Sequence, residues 1–496
     1  MTLRVAKGSV WTFIGLVLPL AVSLVTTPFV IRMLGPEAYG VVILVSLLVA
    51  NLGFADLGMS IASTKFASEE YAKGRPESEA RIVRTAALIS IMTSLPFAIA
   101  VFLLAEKFTD LFNIPPHLRH DATVTFRLAA AILVISLLNQ VFNTPQLARL
   151  RMDVNTLISA GARIGALIAT PLVLFAGGGV VGAISVLFVT TLLTLVGHLY
   201  ASSCLLPSLR GFSIQLSAVG SLLKFGAPLV IATIAALFVA NLEKLILPGI
   251  VSVESLAFYS VAFTLASTMT MFSSSMAQSL IPAFSQLQGP ETRQQLEGLY
   301  LRGLRINVIC LMPGLVFLAI AARPFFTLWA GEQFGAESTP IFHILLAGLI
   351  LNVPAYLPAS LLMASGRTDL LAKLYVGELV PYVFLVVFLT WQYGARGAAA
   401  AWTLRIAIDA VLIFAIAGRA NRLHVTPSVF YPIFKSALIL LVPLAVAVYY
   451  GEVNTAVVVS YAACGCLYAW MIHRTALETD EIAWLTQKVH AVFPGQ

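Results

Sequence analysis

Residues 180–203 read VVGAISVLFVTTLLTLVGHLYASS, without one Asp, Glu, Lys or Arg. As a helix this stretch is about 36 Å long, enough to cross a hydrocarbon core of ~30 Å. Lipid offers no water to backbone N–H and C=O groups, so only helices and closed barrels can span it. The apolar run is continuous rather than alternating, which selects the helix. The same pattern returns on both sides. Spans are predicted at 9–31, 39–64, 84–105, 124–146, 156–176, 180–203, 225–248, 255–283, 302–322, 339–364, 370–391, 394–418, 434–451 and 453–473. The expected fold class is an all-α polytopic membrane protein with about fourteen transmembrane helices.

The rest of the composition agrees. Charged residues make up 11% of the 496, against roughly 25% in a soluble domain. Thirty Lys and Arg against twenty-three Asp and Glu give a net +7. No nucleic-acid motif accompanies that charge, so basic loops held on the cytoplasmic face explain it and nucleic acid is not an expected partner. Cys204, Cys310, Cys464 and Cys466 form no CxxC spacing, which argues against a metal site or a disulfide framework. Arg4 and Lys7 precede an apolar stretch from Val10 to Ile31 that is too long for a signal peptide and lacks a cleavage site, so it reads as a retained first helix.

Orientation follows from the basic residues. With the N-terminus inside, alternate connections carry Lys65, Lys73, Arg75 and Arg81, then Arg149 and Arg151, Arg210 and Lys224, Arg293 and Arg302, Arg367 and Lys373, and Arg419, Arg422 and Lys435. The opposite set carries only Arg32, Lys107, Arg119, Arg323 and Arg396, with Arg127 just inside a span. This bias places both termini in the cytoplasm.

Two stretches about 220 residues apart resemble each other. Arg32-Met33-Leu34-Gly35-Pro36-Glu37-Ala38-Tyr39-Gly40 and Val253-Glu254-Ser255-Leu256-Ala257-Phe258-Tyr259-Ser260 each lead into the second helix of a six-helix block. An even helix number makes the blocks parallel repeats about an axis along the membrane normal. The expected organisation is a lobe over 1–203, a lobe over 204–418, two additional helices over 419–473 and a cytoplasmic amphipathic tail over 474–496. In the tail, Ile482, Leu485, Val489 and Val492 fall at helical spacing.

No Walker loop, HExxH, GxSxG or paired-carboxylate module is present, and the loops are too short for a catalytic domain, so no catalytic residue is assigned. The informative residues are ionisable groups inside apolar spans, each costing a few kcal/mol at mid-bilayer unless it meets a cavity or partner. Arg163 lies some ~12 Å into the fifth span. Arg405 lies at comparable depth in the twelfth, with Asp409 one turn on, so the two can pair. Glu378 is near the middle of the eleventh. Asp56 lies in Gly53-Phe54-Ala55-Asp56-Leu57-Gly58, where a capping or bridging role competes with a site role. Glu243 and Lys244 adjoin near the outer end of the seventh span, where a lysine can snorkel. Arg163 and Glu378 have no partner in register on their own helices, which points to a cavity. Among uncharged groups, Asn139 and Asn143 share a face, Gln278 lies in a serine-rich eighth span, and Asn352, Pro354 and Pro358 interrupt the tenth. Helix–helix hydrogen bonding is the simpler role for all of these.

At these residues the chain resembles the bacterial oligosaccharide flippases, the polysaccharide-biosynthesis membrane proteins of the multidrug/oligosaccharidyl-lipid/polysaccharide exporter superfamily. The resemblance rests on Arg32-x-Leu34-Gly35-Pro36-Glu37-x-Tyr39-Gly40 with Ala55-Asp56-Leu57-Gly58, on Lys224-Phe225-Gly226-x-Pro228, on Leu242-Glu243-Lys244-Leu245 with Tyr259-Ser260, and on Ala364-Ser365-Gly366-Arg367. Glu243 stands where the family commonly has Asp. The resemblance implies two six-helix lobes and transport of a lipid-linked oligosaccharide of polyprenyl-pyrophosphate type to the outer leaflet of the bacterial inner membrane by alternating access. It implies membrane lipids, a polysaccharide polymerase and other assembly proteins as partners, and no cofactor. An anionic head would suit Arg163 and Arg405, with Lys244, Asn139, Asn143 and Gln278 as further substrate contacts. Asp56, Glu378, Asp409 and Glu243 are the candidate ion-coupling groups. The competing readings are an ion-coupled multidrug antiporter of the same superfamily, which would favour an acidic cavity, and a membrane oligosaccharide polymerase or ligase, which needs larger outer loops. A channel would need a filter motif.

Overall fold

The computed structural model describes residues 2–421, 431–450 and 453–475. Their secondary structure is helical throughout: α1 (Thr2–Asn51), α2 (Met59–Ala72), α3 (Pro76–Leu103), α4 (Ala105–Leu111), α5 (Arg119–Phe142), α6 (Thr144–Ala148), α7 (Met152–Phe175), α8 (Gly179–Leu205), α9 (Leu216–Ile250), α10 (Val253–Gln286), α11 (Arg293–Ala330), α12 (Glu332–Ala364), α13 (Thr368–Asn421), α14 (Tyr431–Ala437), α15 (Leu441–Tyr450) and α16 (Thr455–Thr475). The amphipathic tail expected from Ile482 to Val492 lies outside the described residues.

Two of these helices are too long for one crossing. α1 has 50 residues and α13 has 54, or about 75 and 81 Å. Each breaks at a glycine, Gly35 (φ 75°, ψ 170°) and Gly394 (φ 59°, ψ −138°). Those backbone angles are open essentially to glycine alone. Pro36 then opens the second arm of α1, where its fixed φ suits a first helical turn. A Cβ on Gly397 would strike the Leu389 carbonyl, so the second arm of α13 folds closely against the first. Among the described residues, ten helical stretches are long and apolar enough to cross a membrane. Counting the two hairpins twice, and adding α9 and the shorter apolar helix at Lys435–Tyr450, recovers the fourteen spans read from the sequence. Large apolar side chains stand outward along them, Leu103, Phe175 and Trp391 each more than 70% exposed. In water this would be an aggregation surface; in lipid it is the favoured side.

The second predicted span, 39–64, is not one continuous helix. The outer arm of α1 stops at Asn51, a 3₁₀ turn runs Leu52–Asp56, and Leu57 and Gly58 both take left-handed angles before α2 begins. Asp56 holds the break together. One carboxylate oxygen accepts the Ser60 N–H at 2.8 Å, the other accepts the Ser90 hydroxyl at 2.6 Å. The first of these satisfies an otherwise orphaned donor at the start of α2.

The chain separates into two compact units, Met1–Ala257 and Phe258–Gln496. In the first, α9 is tied to the preceding helices near both ends. Gly226 lies so close to the broken span that a Cβ on it would strike the Leu57 carbonyl, and one on Gly58 would come 2.9 Å from the Gly226 carbonyl. At the other end Asn113 donates to the Gly249 carbonyl at 2.8 Å. The Arg84 guanidinium gathers the connection before α9, bonding the carbonyls of Ser208, Gly211 and Ser213 at 2.7–2.8 Å. Gly40 packs directly on Val253, so the two sequence-similar turns touch inside this unit. In the second unit α12 lies between α11 and α13. The additional helices dock on α11, with the hydroxyls of Tyr461 and Tyr468 donating to the Pro313 and Ile309 carbonyls.

Candidate substrate and ion sites

In the first unit, α7 has two exposed faces. One is an apolar stripe of Leu157, Ile168, Leu172 and Phe175, relieved by Gly161 and Gly165. Arg163 stands roughly 150° around the helix from that stripe and is also exposed. Its side of α7 carries Thr156, Ser159 and Thr170. It is flanked by α1, where a Cβ on Gly15 would lie 2.7 Å from Thr156, and by α8, where Ser159 bonds His198 at 3.2 Å. Arg163 therefore points away from the lipid-like stripe, between two neighbouring helices. Among the described residues it has no ion pair. An unpaired guanidinium at this depth presents donors in a planar fork suited to phosphate oxygens.

The other first-unit candidates are less open. The Asn139 amide donates to the Thr191 carbonyl at 3.2 Å, joining α5 to α8, and Asn143 ends α5. Lys244 donates to Asn241 at 3.2 Å, while its neighbour Glu243 is fully buried. Asp56 is the cap described above. Arg149, which the sequence offered only as an orientation marker, forms a buried pair with Glu79 at the start of α3, with a second contact at 3.0 Å, and its guanidinium covers the Tyr71 ring. This pair fastens α2, α3 and α6 to one another.

In the second unit the two arms of α13 bring Glu378 and Arg405 together. On its own helix Arg405 has Asp409 one turn away as a possible partner. The ion pair that forms is with Glu378, Nη1 to Oε2 at 3.6 Å, with side chains only 12% and 10% exposed. The reason is the corner at Gly394, which lays the arms side by side. Tyr382, one turn beyond Glu378, places its ring 5.1 Å from the guanidinium, a cation–π distance. Tyr375 stands one turn before Glu378 and within electrostatic reach of Glu378, Asp409 and Arg405. Asp409 is buried beside them. At 3.6 Å the pair is a charge contact rather than a hydrogen bond. Neither Glu378 oxygen, nor Arg405 Nε, nor Asp409 Oδ1 has a protein hydrogen-bond partner. The cluster thus holds two carboxylates against one guanidinium, with polar valences left over. Gln278 is exposed on α10, and Ser273 on the same helix bonds buried Asn307 of α11 at 3.1 Å.

Sequence reasoning missed both tyrosines of this cluster. Tyr375, Glu378 and Tyr382 follow the i, i+3, i+7 spacing of one helix face, which was a readable signal. No group of His, Cys, Asp and Glu suited to a metal ion occurs among the described residues.

Residues 5–288, more than half of the chain, match the family described as polysaccharide biosynthesis protein. The chain belongs to that family. It is 23% identical over 419 residues to a Shigella flexneri protein named as an O-antigen transporter, covering 83% of this chain and 97% of that one. It is 22% identical, also over 419 residues, to the lipopolysaccharide biosynthesis protein WzxC of Escherichia coli K12, covering 83% and 80%. Among solved structures, the fold is similar to the inward closed conformation of the lipid II flippase MurJ, with a TM-score of 0.69, 14% identity and coverage of 94% and 98%. It is similar also to an inward-facing multidrug resistance transporter of the MATE family, with a TM-score of 0.67, 15% identity and coverage of 84% and 98%. The likeness to both solved transporters is one of fold.

Proposed function

We propose that this protein moves a lipid-linked oligosaccharide of polyprenyl-pyrophosphate type from the cytoplasmic to the outer leaflet of the bacterial inner membrane, by alternating access, for surface polysaccharide synthesis. Family membership and the names of both relatives support the substrate class. The observation that carries the reading is Arg163, exposed and without an ion pair among the described residues, on the face of α7 turned away from its apolar stripe. The polyprenyl tail stays in lipid while the anionic head meets this guanidinium in a hydrated lobe interior. In this reading 1–203 and 204–418 are the two repeats, 419–473 is an appendage, and both termini are cytoplasmic. A polymerase and other assembly proteins take over the flipped product.

Arg405 has a different part in this reading. It is neutralised by Glu378, and the excess carboxylate of the cluster suits a proton or small cation. Glu378 and Asp409 are therefore the proposed coupling groups. The same acidic excess supports the second reading, a cation-coupled multidrug antiporter.

Flipping of a defined polyprenyl-pyrophosphate oligosaccharide in proteoliposomes decides between them. The exchange Arg163→Gln is expected to abolish translocation at an unchanged membrane level. Full activity in that variant removes the anion site. Translocation indifferent to both imposed pH and sodium gradients removes the coupling role of Glu378 and Asp409.

A further inference from the structure

A buried histidine lies behind the Arg163 face. His198 of α8 is 1% exposed. Its Nδ1 is 3.2 Å from Gln146 Oε1, and its Nε2 is 3.2 Å from the Ser159 hydroxyl. The hydrogen-bond chain fixes which nitrogen carries the proton. Ser202 donates its single hydroxyl hydrogen to the Phe142 carbonyl at 2.6 Å, so it can only accept from Gln146, whose amide nitrogen lies 3.2 Å away. That orients the Gln146 carbonyl oxygen toward His198, so Nδ1–H donates to it. The basic nitrogen is then Nε2, and Ser159 donates to it. Ser159 is exposed, one helical turn before Arg163 on the same polar side of α7.

Both protonation states fit this arrangement. When Nε2 gains a proton it donates to Ser159 Oγ, which has lone pairs to accept. No bond of the network is lost. The one change is that the Ser159 hydrogen, no longer held by the ring, turns outward to the open face. We infer that His198 is a titratable member of the Arg163 anion site: its protonation converts Ser159 from an inward to an outward donor and adds a positive charge behind it, so phosphate-type oxygens bind with uptake of a proton. The inference rests on the anion-site reading above and deepens it. The charged and titratable groups on the elements packed around His198 are Asp153 and Arg163 on α7, Arg149 at the end of α6 (engaged by Glu79), and Tyr200 and Cys204 on α8 itself. To these are added Arg210 in the turn after α8, and Arg32, Glu37 and Tyr39 along α1. On α5 they are Arg119, His120, Asp121 and Arg127, all in its first half. None of these groups shares a hydrogen bond with the imidazole among the described residues.

The test uses the full chain in nanodiscs of uncharged lipid, with inorganic pyrophosphate as probe and affinity measured from about pH 7 down to about pH 3.5, far enough to protonate a buried imidazole. Wild type is compared at each pH with His198→Gln and Ser159→Ala, which removes the probe's own ionisation from the comparison. Wild-type affinity is expected to gain about tenfold over either variant toward low pH. In weakly buffered solution wild-type binding should take up a proton that His198→Gln does not. Arg163→Gln should bind weakly at every pH. A His198→Gln protein with the wild-type pH profile and proton uptake overturns the inference while leaving the anion site standing. No pyrophosphate binding by wild type at any pH overturns both.

Discussion

From sequence, Arg163 and Arg405 fall at comparable positions within apolar spans and carry the same meaning. Their surroundings differ. Arg163 lies on a polar face lined by Thr156, Ser159 and Thr170, exposed and without an acid within reach among the described residues. Arg405 is packed between Glu378, Tyr382 and Asp409, almost out of contact with solvent. A guanidinium in a membrane can be tolerated in two ways, by opening onto water or by acquiring neutralising partners. Arg163 in the first unit is exposed, and Arg405 in the second is neutralised. In the proposed function the exposed cation is the one that meets the cargo. A neutralised one holds together the groups around it and, with two acids against one base, leaves a place for exchangeable positive charge.

The sharpest way to break this contrast is to remove Arg405. Arg405→Gln leaves two carboxylates buried without compensation, and loss of one partner from a buried pair costs about 3–5 kcal/mol. The midpoint of thermal unfolding in detergent should fall accordingly, and the double change Arg405→Gln with Glu378→Gln should recover much of it. An Arg405→Gln protein as stable as wild type would mean the second arginine is as open as the first.

The next effect concerns the frame that holds the first unit's open face. Gly226→Ala places a methyl group against the Leu57 carbonyl and 2.9 Å from Met59 Cε. Overpacking of this kind costs about 1–3 kcal/mol, read from the same unfolding curves. An unchanged midpoint would show that the broken second span and α9 are separable.

A smaller effect divides the acids as the arginines are divided. Asp56→Ala removes a cap and a bond to Ser90, for about 1–2 kcal/mol, and should leave the response of transport to an imposed gradient intact. Asp409→Asn should do the opposite, sparing the fold and flattening the gradient response. If Asp56→Ala instead abolishes coupling, its carboxylate is exchanging ions despite its two hydrogen bonds.

Much of the fold was legible because lipid reads sequence by a coarse rule of length and apolarity. That rule located most of the spans and stumbled at 39–64, where Leu57 and Gly58 turn left-handed in an apolar run, and at 434–451, where a 3₁₀ turn at Leu438–Leu440 separates α14 from α15. The same rule found the buried charges without revealing their partners. Glu378 and Arg405 are 27 positions apart, and only the backbone turn at Gly394 makes them neighbours, whereas Asp409 was the partner that one-helix geometry could offer. The capping and bridging role of Asp56 was one of the two that the sequence allowed, while the tyrosine ladder at 375 and 382 obeys local spacing rules and could have been read. His198 could not, since an isolated histidine in an apolar span acquires meaning only when α6 and α7 supply Gln146 and Ser159.

The smallest expected change completes the contrast. Arg163→Gln removes a charge that has no acid to abandon and no aromatic ring to uncover among the described residues. Substitutions of exposed groups away from such features usually move stability by no more than about 0.5 kcal/mol. Its unfolding midpoint should therefore match wild type even as transport fails, and its detergent-solubilised yield should be unaltered. A drop comparable to that of Arg405→Gln would show that the guanidinium is a structural partner of α1 or α8. In that case the loss of transport would follow from a damaged lobe rather than from a missing contact with an anionic head, and the division between an open arginine and a closed one would dissolve.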